Sequence, residues 1–200
     1  MEQTKIDSLT LFKKEFKELF KQNTKNGKWL KLPTIPKEDK KETKSFVENS
    51  KDIKLEETHI QNDPEQLEIR LETGKLAEFS FSNFLKSKNI SVRKPNTKIS
   101  HSYEHDYPDI EINGGQYGIK ASVFGNAALI PLKPKYDEII IVRLWDEFYV
   151  AGIATIEIQK KYKDKSLFKY GTKGQVKAGL TIEGYKRLNS FANLLSLLHL

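Results

Sequence analysis

Residues 105–122 have the sequence His-Asp-Tyr-Pro-Asp-Ile-Glu-Ile-Asn-Gly-Gly-Gln-Tyr-Gly-Ile-Lys-Ala-Ser. Two runs of alternating apolar and polar residues flank an Asn-Gly-Gly turn, and this pattern predicts a β-hairpin. Successive side chains of a strand point to opposite faces of its sheet. One face of the hairpin would hold Ile110, Ile112, Tyr117 and Ile119. That face is apolar enough to be buried.

The polar face of the hairpin gathers two carboxylates and an ammonium group. A Gly114-Gly115 loop would place Glu111 opposite Gly118 and Asp109 opposite Lys120. Directly opposed Cβ atoms lie ~5 Å apart. A loop that begins one residue earlier shifts the pairing by two residues and keeps the same faces. In either register the charged side chains converge on a patch small enough to hold a metal ion.

The two charged ends of this hairpin resemble the active-site motif of the PD-(D/E)xK nuclease superfamily, which includes restriction endonucleases. In that family Pro-Asp opens one strand, and an acid, any residue and Lys follow on the next. Pro108-Asp109 matches the first half, and Lys120 matches the second. This chain departs from the pattern at Gly118, where the family has its second acid. The resemblance covers roughly residues 64–157.

The resemblance implies both a fold and an activity. The expected fold is α/β (α+β), with a central mixed β-sheet flanked by helices and a restriction-endonuclease-like core. The expected activity is Mg²⁺-dependent hydrolysis of phosphodiester bonds in DNA, as in a restriction or phage-type endonuclease. The expected substrate and partner is double-stranded DNA.

Two glutamates are candidates for the missing acid. Glu111 would lie opposite Gly118, where no side chain competes for the space, so we expect it to replace that acid. Glu78 lies on a helix predicted from Asp63 to about Ser87, on a largely apolar stripe where an unpaired carboxylate is costly. The resemblance implies a further Glu from a helix ahead of the Pro-Asp strand, and Glu78 fits that place. The alternative is a Glu at the edge of the stripe that reaches solvent.

The resemblance also implies roles for these side chains. Asp109, Glu111 and Glu78 would hold Mg²⁺, with Mn²⁺ as the expected substitute, because such metals prefer oxygen ligands. Lys120 would orient the attacking water or stabilise charge on the phosphate. Two further residues of the hairpin are expected to contact substrate: Gln116 and Ser122.

The N-terminal part of the chain predicts a helix followed by a connector. Residues 8–22 have an amphipathic pattern, whose apolar face would bury against the core or against a second subunit. Residues 23–62 contain two prolines and alternating charge, which favours a partly irregular connector with a short helix near residues 43–49. We therefore expect an N-terminal extension, residues 1–62, and a nuclease-like core, residues 63–200.

The C-terminal half of the chain predicts two strands and a helix. Strands are expected at residues 136–145 and 149–158. The first contains an uninterrupted Ile-Ile-Ile-Val run, which favours a strand buried on both faces at the centre of a sheet. An apolar helix is expected at residues 183–200, docked on the sheet or on a partner, and this leaves a homodimer open.

Lysines recur between aromatic residues in the segment 159–178, a pattern suited to tracking a phosphate backbone. The chain carries a net charge of +7, and its pI of about 9.3 predicts attraction to polyanions. A solvated lysine loop is the alternative. The lysines of this segment that are expected to contact DNA are Lys161, Lys163, Lys165, Lys169 and Lys173.

The composition excludes several classes of chemistry. The chain has no cysteine, so it forms no disulfides, no thiolate zinc site and no cysteine nucleophile. This composition favours a reducing cytoplasm. No apolar run approaches the ~20 residues of a membrane span, and no signal peptide is apparent at the first residues. We therefore expect a cytoplasmic protein without a membrane partner.

Three alternatives compete with a nuclease. The hairpin pattern also suits an ordinary surface hairpin with a cross-strand Asp-Lys pair, worth under ~1 kcal/mol. Gly118 also suits a DNA-binding protein of the same fold that has lost catalysis. The apolar helix faces suit an assembly protein whose basic surface is incidental.

Overall fold

The computed structural model describes residues 8–58, 64–97, 108–112, 114–167 and 177–191. The helices of this part of the chain are α1 (Ser8–Lys25), α2 (Lys37–Thr58), α3 (Pro64–Ser87), α4 (Ile156–Lys161) and α5 (Ile182–Lys186). Its strands are β1 (Leu30–Lys31), β2 (Ile110–Ile112), β3 (Gly115–Val123), β4 (Leu129–Pro131), β5 (Asp137–Leu144), β6 (Glu147–Ala154), β7 (Lys163–Asp164) and β8 (Lys177–Leu180).

The strands form two sheets. The larger sheet has the order β1-β6-β5-β3-β2, with β3 and β5 parallel and the other neighbours antiparallel. The smaller sheet is antiparallel and has the order β4-β8-β7. The expected α/β (α+β) fold with a central mixed sheet is therefore confirmed. The central position of β5 is confirmed as well, since all four residues of its Ile139–Val142 run are fully buried.

Different layers cover the two faces of the larger sheet. Ile139 and Ile141 of β5 share a hydrophobic cluster with Phe81 and Leu85 of α3. Ile140 and Val142 belong to a second cluster, which contains the buried residues of α1, of α5 and of the smaller sheet. Because successive side chains of a strand alternate between faces, α3 covers one face of the sheet and the smaller sheet covers the other.

The helix predicted at residues 8–22 is confirmed as α1. Its apolar face is buried, with Phe12, Phe16, Leu19 and Phe20 at most 9% exposed. The ring centroid of Phe16 lies 5.1 Å from that of Tyr185 in an edge-on contact. Of the two expected burial sites, the core of the same chain is thus the one observed.

The prediction of a partly irregular connector is wrong for residues 37–58, which form the 22-residue helix α2. The helix begins directly after Pro36 and packs along α3. Its buried positions include Thr43, Val47 and Ser50, spaced at helical intervals. Two of these three residues are polar, and this weakens the hydrophobic pattern on which the sequence prediction depended.

Three other predicted elements differ in their outcome. The helix predicted to end near Ser87 is confirmed as α3, although its expected capping residue, Asp63, lies outside the described residues. The strand predicted at residues 149–158 ends at Ala154, because the Thr155 hydroxyl accepts a hydrogen bond from the Ile158 amide and caps α4. The helix predicted from residue 183 ends at residue 186, and residues 192–200 lie outside the described part.

Candidate active site

The hairpin that was predicted from the sequence forms in the other of its two registers. Ile112 pairs with Gly115, and Glu111 pairs with Gln116. The loop therefore consists of positions 113 and 114, and the expected Gly114-Gly115 loop is wrong. Gly114 has a φ of 77°, a conformation that two-residue hairpin turns require and that glycine adopts without strain.

This register moves Glu111 away from the position it was expected to fill. Glu111 lies opposite Gln116 rather than Gly118, and both partners of this pair are exposed. The proposed replacement of the second acid by Glu111 is therefore wrong in its geometry. Gln116 stays accessible to a substrate, as expected of a contact residue.

Asp109 and Lys120 do come together as predicted. Asp109 directly precedes β2, and its Oδ2 accepts a 2.6 Å hydrogen bond from the Ile119 amide. The same oxygen lies 3.5 Å from Lys120 Nζ. Both side chains keep about a third of their surface or less in solvent, 36% for Asp109 and 26% for Lys120. The pair is ordered by the sheet and still open to a ligand.

A carboxylate from the next strand occupies the space at Gly118. Gly118 pairs with Glu138 across the parallel strands β3 and β5. A Cβ atom built on Gly118 would lie only 2.0 Å from Glu138 Oε2. The carboxylate of Glu138 thus fills the space that a side chain at position 118 would need.

Glu138 completes a cluster of two carboxylates around one lysine. Its Oε2 lies 3.2 Å from Lys120 Nζ, and the residue is 4% exposed. Lys120 is the charged partner of this buried oxygen, and at 3.2 Å the ion pair has poor hydrogen-bond alignment. The ammonium of Lys120 is the cation that offsets the cost of burying this carboxylate.

Burial and charge shift the pKa values in this cluster. Burial raises the pKa of Glu138 to about 7, although the charge of Lys120 opposes the shift. Burial alone would lower the pKa of Lys120, but the charges of Glu138 and Asp109 outweigh it and raise that pKa. Lys120 is therefore fully protonated at neutral pH, whereas Glu138 exchanges its proton near pH 7.

Helix α3 brings Glu78 toward this cluster but holds its carboxylate with another partner. Lys75 Nζ lies 2.6 Å from Glu78 Oε2 and also donates to the Asn96 carbonyl at 2.8 Å. Burial raises the pKa of Glu78, the charge of Lys75 opposes this, and Asp109 adds a smaller upward contribution. The auxiliary role of Glu78 stays a prediction, and its carboxylate is paired with Lys75 in this structure.

The residues expected to contact DNA have different environments. Ser122 is 6% exposed and lies beside the buried Tyr185 hydroxyl, so little of its surface is open to a substrate. The ammonium of Lys163 donates to the Leu132 carbonyl at 2.7 Å and supports a loop. Two residues are exposed and accessible to a polyanion: Lys161 and Lys165. Lys169 and Lys173 lie outside the described residues.

The sequence analysis missed Glu138, and one signal for it was present. Glu138 directly precedes the Ile-Ile-Ile-Val run of β5, and a carboxylate at the start of a fully buried strand needs a partner. That partner, Lys120, lies on β3, which the sequence alone does not place beside β5. The missing information was the parallel pairing between these two strands.

The donor set of this cluster fits a hard divalent cation. Carboxylate oxygens from Asp109 and Glu138 are ligands that Mg²⁺ and Mn²⁺ prefer, and Glu138 Oε2 lacks a hydrogen-bond partner among the described residues. Within that same part of the chain, no three acidic or histidine side chains are already grouped closely enough to hold a metal ion. A metal bound here would be held by the carboxylates of Asp109 and Glu138, which both lie within 3.5 Å of Lys120 Nζ.

Comparisons with protein-family models, with curated proteins and with solved structures found no match. In the part of the chain that the structure describes, no helix has both the length and the apolar character needed to cross a membrane.

Proposed function

We propose that this protein is a metal-dependent DNA endonuclease, with Asp109, Glu138 and Lys120 at its centre. One observation supports this most strongly: two carboxylates from different strands contact the same lysine, at 3.5 and 3.2 Å. The Glu138 carboxylate also fills the space at Gly118, so the resemblance to the PD-(D/E)xK superfamily is kept with its second acid on β5.

Each side chain of the cluster has a distinct role in this proposal. Asp109 and Glu138 would hold Mg²⁺ or Mn²⁺, which when bound supplies positive charge that polarises the scissile phosphate and acidifies water. Lys120 would stabilise the negative charge that develops on the phosphate oxygens. Its ammonium also opposes the rise in the pKa of Glu138 that burial causes, and so favours the ionised form that binds a cation. Glu78 would be auxiliary, because Lys75 already neutralises it.

The charge of the whole chain supports double-stranded DNA as the substrate. A net charge of +7 favours association with a polyanion. Three exposed side chains would contact the phosphate backbone of the DNA: Lys161 and Lys165 of the basic segment, and Gln116 next to the hairpin loop. We expect the protein in the cytoplasm, where a chain without cysteine is at no disadvantage. A homodimer would suit cleavage of both DNA strands.

Nicking of supercoiled plasmid tests the proposal directly. We expect relaxed circles with Mg²⁺ or Mn²⁺ and none with EDTA. Cleavage that is unaffected by EDTA would argue against a metal site. No cleavage with any divalent metal would also remove the nuclease proposal.

One observation favours a second candidate function, DNA binding without catalysis. Among the described residues no ready-made group of three metal ligands exists, and Lys120 contacts both carboxylates. Under this alternative the wild-type protein binds plasmid DNA in a salt-dependent way and never nicks it. The same plasmid experiment therefore separates the two functions.

A further inference from the structure

The solvent side of α1 carries a row of lysines that the candidate active site does not use. Within this helix, lysines outnumber glutamates by five to two. Four of the lysines recur at intervals of three or four residues, share one side of the helix and are exposed: Lys14, Lys17, Lys21 and Lys25. At a rise of ~1.5 Å per residue, this lysine row is about 16 Å long.

Most of the positive charge in the lysine row is not neutralised by the protein. Lys21 lies 3.4 Å from Glu18, and both side chains stay largely exposed. Lys14, Lys17 and Lys25 form no ion pair with any of the described residues. Like charges three or four positions apart on a helix repel one another, so a bound polyanion would relieve a repulsion that the fold leaves in place.

The lysine row lies on the same side of the larger sheet as the candidate active site. The buried residues of α1 share a hydrophobic cluster with Ile140 and Val142 of β5. Because side chains alternate along a strand, Glu138 points to this same face. Helix α1 also packs against the 3₁₀ turn Lys165–Leu167, in which Lys165 is exposed. The row therefore adjoins a surface for which contacts with DNA are already proposed.

The burial of α1 argues against a lipid surface as the partner. A helix that binds a membrane surface inserts its apolar face into the lipid. In α1 that face is buried in the core of the protein. What α1 offers to a partner is a linear set of cations, and a nucleic-acid strand offers a linear set of phosphates at regular intervals.

We propose that the lysine row of α1 binds the phosphate backbone of DNA and holds the duplex beside the candidate active site. Lysines act here as point charges on phosphates, so this contact does not depend on base sequence. The inference rests on the proposed function for the choice of DNA as the polyanion. Binding itself needs neither a metal nor cleavage, so it is measured separately from nicking.

Binding of a short duplex in EDTA tests the lysine row. K14Q/K17Q/K25Q removes its three unpaired charges, and glutamine has nearly the helix propensity of lysine. We expect the slope of log affinity against log salt to fall by about 2–3, and the affinity at moderate salt to fall at least about tenfold. K14R/K17R/K25R keeps the charges and should keep the wild-type slope.

The matched control is K37Q/K41Q/K86Q, which removes three exposed lysines from α2 and α3. Helix α3 covers the other face of the larger sheet, and α2 packs along it. The control should keep nearly the wild-type slope and affinity. If K14Q/K17Q/K25Q behaves like this control, the inference is overturned.

Plasmid nicking separates the failure of this inference from the failure of the proposed function. If the wild type nicks plasmid and K14Q/K17Q/K25Q binds and nicks like it, the lysine row has no role and the nuclease stands. If the wild type never nicks but this variant loses duplex binding, the nuclease proposal fails and the lysine row stands.

Vesicles of phosphatidylcholine and phosphatidylserine separate DNA from a lipid surface. We expect the wild type to bind the duplex more tightly than these vesicles at the same salt concentration. Equal binding to both, lost from both in K14Q/K17Q/K25Q, would overturn the assignment of the lysine row to DNA.

Discussion

Gly118 and Glu138 depend on each other across β3 and β5. A side chain at Gly118 would occupy the position of the Glu138 carboxylate, 2.0 Å from its Oε2. Gly118→Ala should therefore displace Glu138 from Lys120 and lower plasmid nicking about 100-fold, as for a 1 Å misplacement of a reacting group. The free energy of unfolding should fall by only about 1–3 kcal/mol, because the displaced atom ends a flexible side chain.

A matched control for this substitution is Gly74→Ala. No atom lies within 4 Å of a Cβ built on Gly74, which lies inside α3. Plasmid nicking should stay at the wild-type level in this variant, since alanine is the better helix former. Normal nicking by Gly118→Ala would show that the space at Gly118 has no part in activity.

The raised pKa of Glu138 makes stability depend on pH. Its pKa is about 7 in the folded chain against a model value of 4.5, so between these values the folded state binds more protons than the unfolded state. The stability contributed at Glu138 therefore falls as pH rises from about 4.5 to about 7 and then levels off. Glu138→Gln lacks this titration. Its free energy of unfolding should therefore rise relative to that of wild type by up to about 3 kcal/mol across that window.

Urea unfolding in EDTA at pH 5, 6, 7 and 8 measures this difference. Glu157→Gln is the control, because Glu157 is exposed on α4 and its substitution should give a nearly constant difference from wild type. A constant difference for Glu138→Gln as well would mean that Glu138 ionises as it would in water.

At the scale of single residues, the sequence predicted Asp109 and Lys120 of the candidate site but not Glu138. Asp109 and Lys120 share the polar face of a local hairpin, and alternation along each strand is readable from residue types alone. Glu138 reaches them through a parallel pairing of β3 and β5, which connects residues 20 positions apart. That pairing depends on tertiary packing rather than on local pattern. Glu111 was chosen in its place because two loop registers fitted the same glycines.

The helices show how an element's pattern determines whether the sequence predicts it. In α1 the buried stripe is almost entirely aromatic or leucine, and this helix was predicted within three residues at its C-terminal end. In α2 polar residues share the buried stripe. Glu42 of this helix also accepts a hydrogen bond from the Thr97 hydroxyl, 2.9 Å from its Oε1. A helix held by polar contacts leaves a weak hydrophobic signal, so most of α2 was not predicted.

The packing of α1 gives a prediction about the core. Phe16 is fully buried and its ring contacts those of Phe12, Trp29, Phe124 and Tyr185. Phe16→Ala should lower the free energy of unfolding by about 3–5 kcal/mol, the cost of truncating a buried aromatic side chain. Denaturant unfolding measures it.

The control is a substitution on the opposite face of the same helix. Leu11 is 47% exposed, and Leu11→Ala should change stability by less than about 1 kcal/mol. Equal and small effects at both positions would mean that α1 is a separate extension that contributes little to the core.

At the scale of the whole molecule, the layers explain where a site can form. Helix α3 and the smaller sheet cover opposite faces of the larger sheet, and the acidic cluster lies at the end where β5 begins. The α/β (α+β) class was predictable from the order of helix, hairpin and strands. The second sheet was not, because its strands have only two to four residues and no repeated pattern.

The central claim is that Glu138, rather than Glu111, is the second acid of a metal-dependent nuclease. Plasmid nicking with Mg²⁺ by Glu138→Gln and Glu111→Gln compares the two carboxylates directly, with equal changes of charge. We expect Glu138→Gln to lose at least ~100-fold in rate, as for the loss of a metal ligand, and Glu111→Gln to stay within a few-fold of wild type. Normal nicking by Glu138→Gln together with inactive Glu111→Gln would contradict this account.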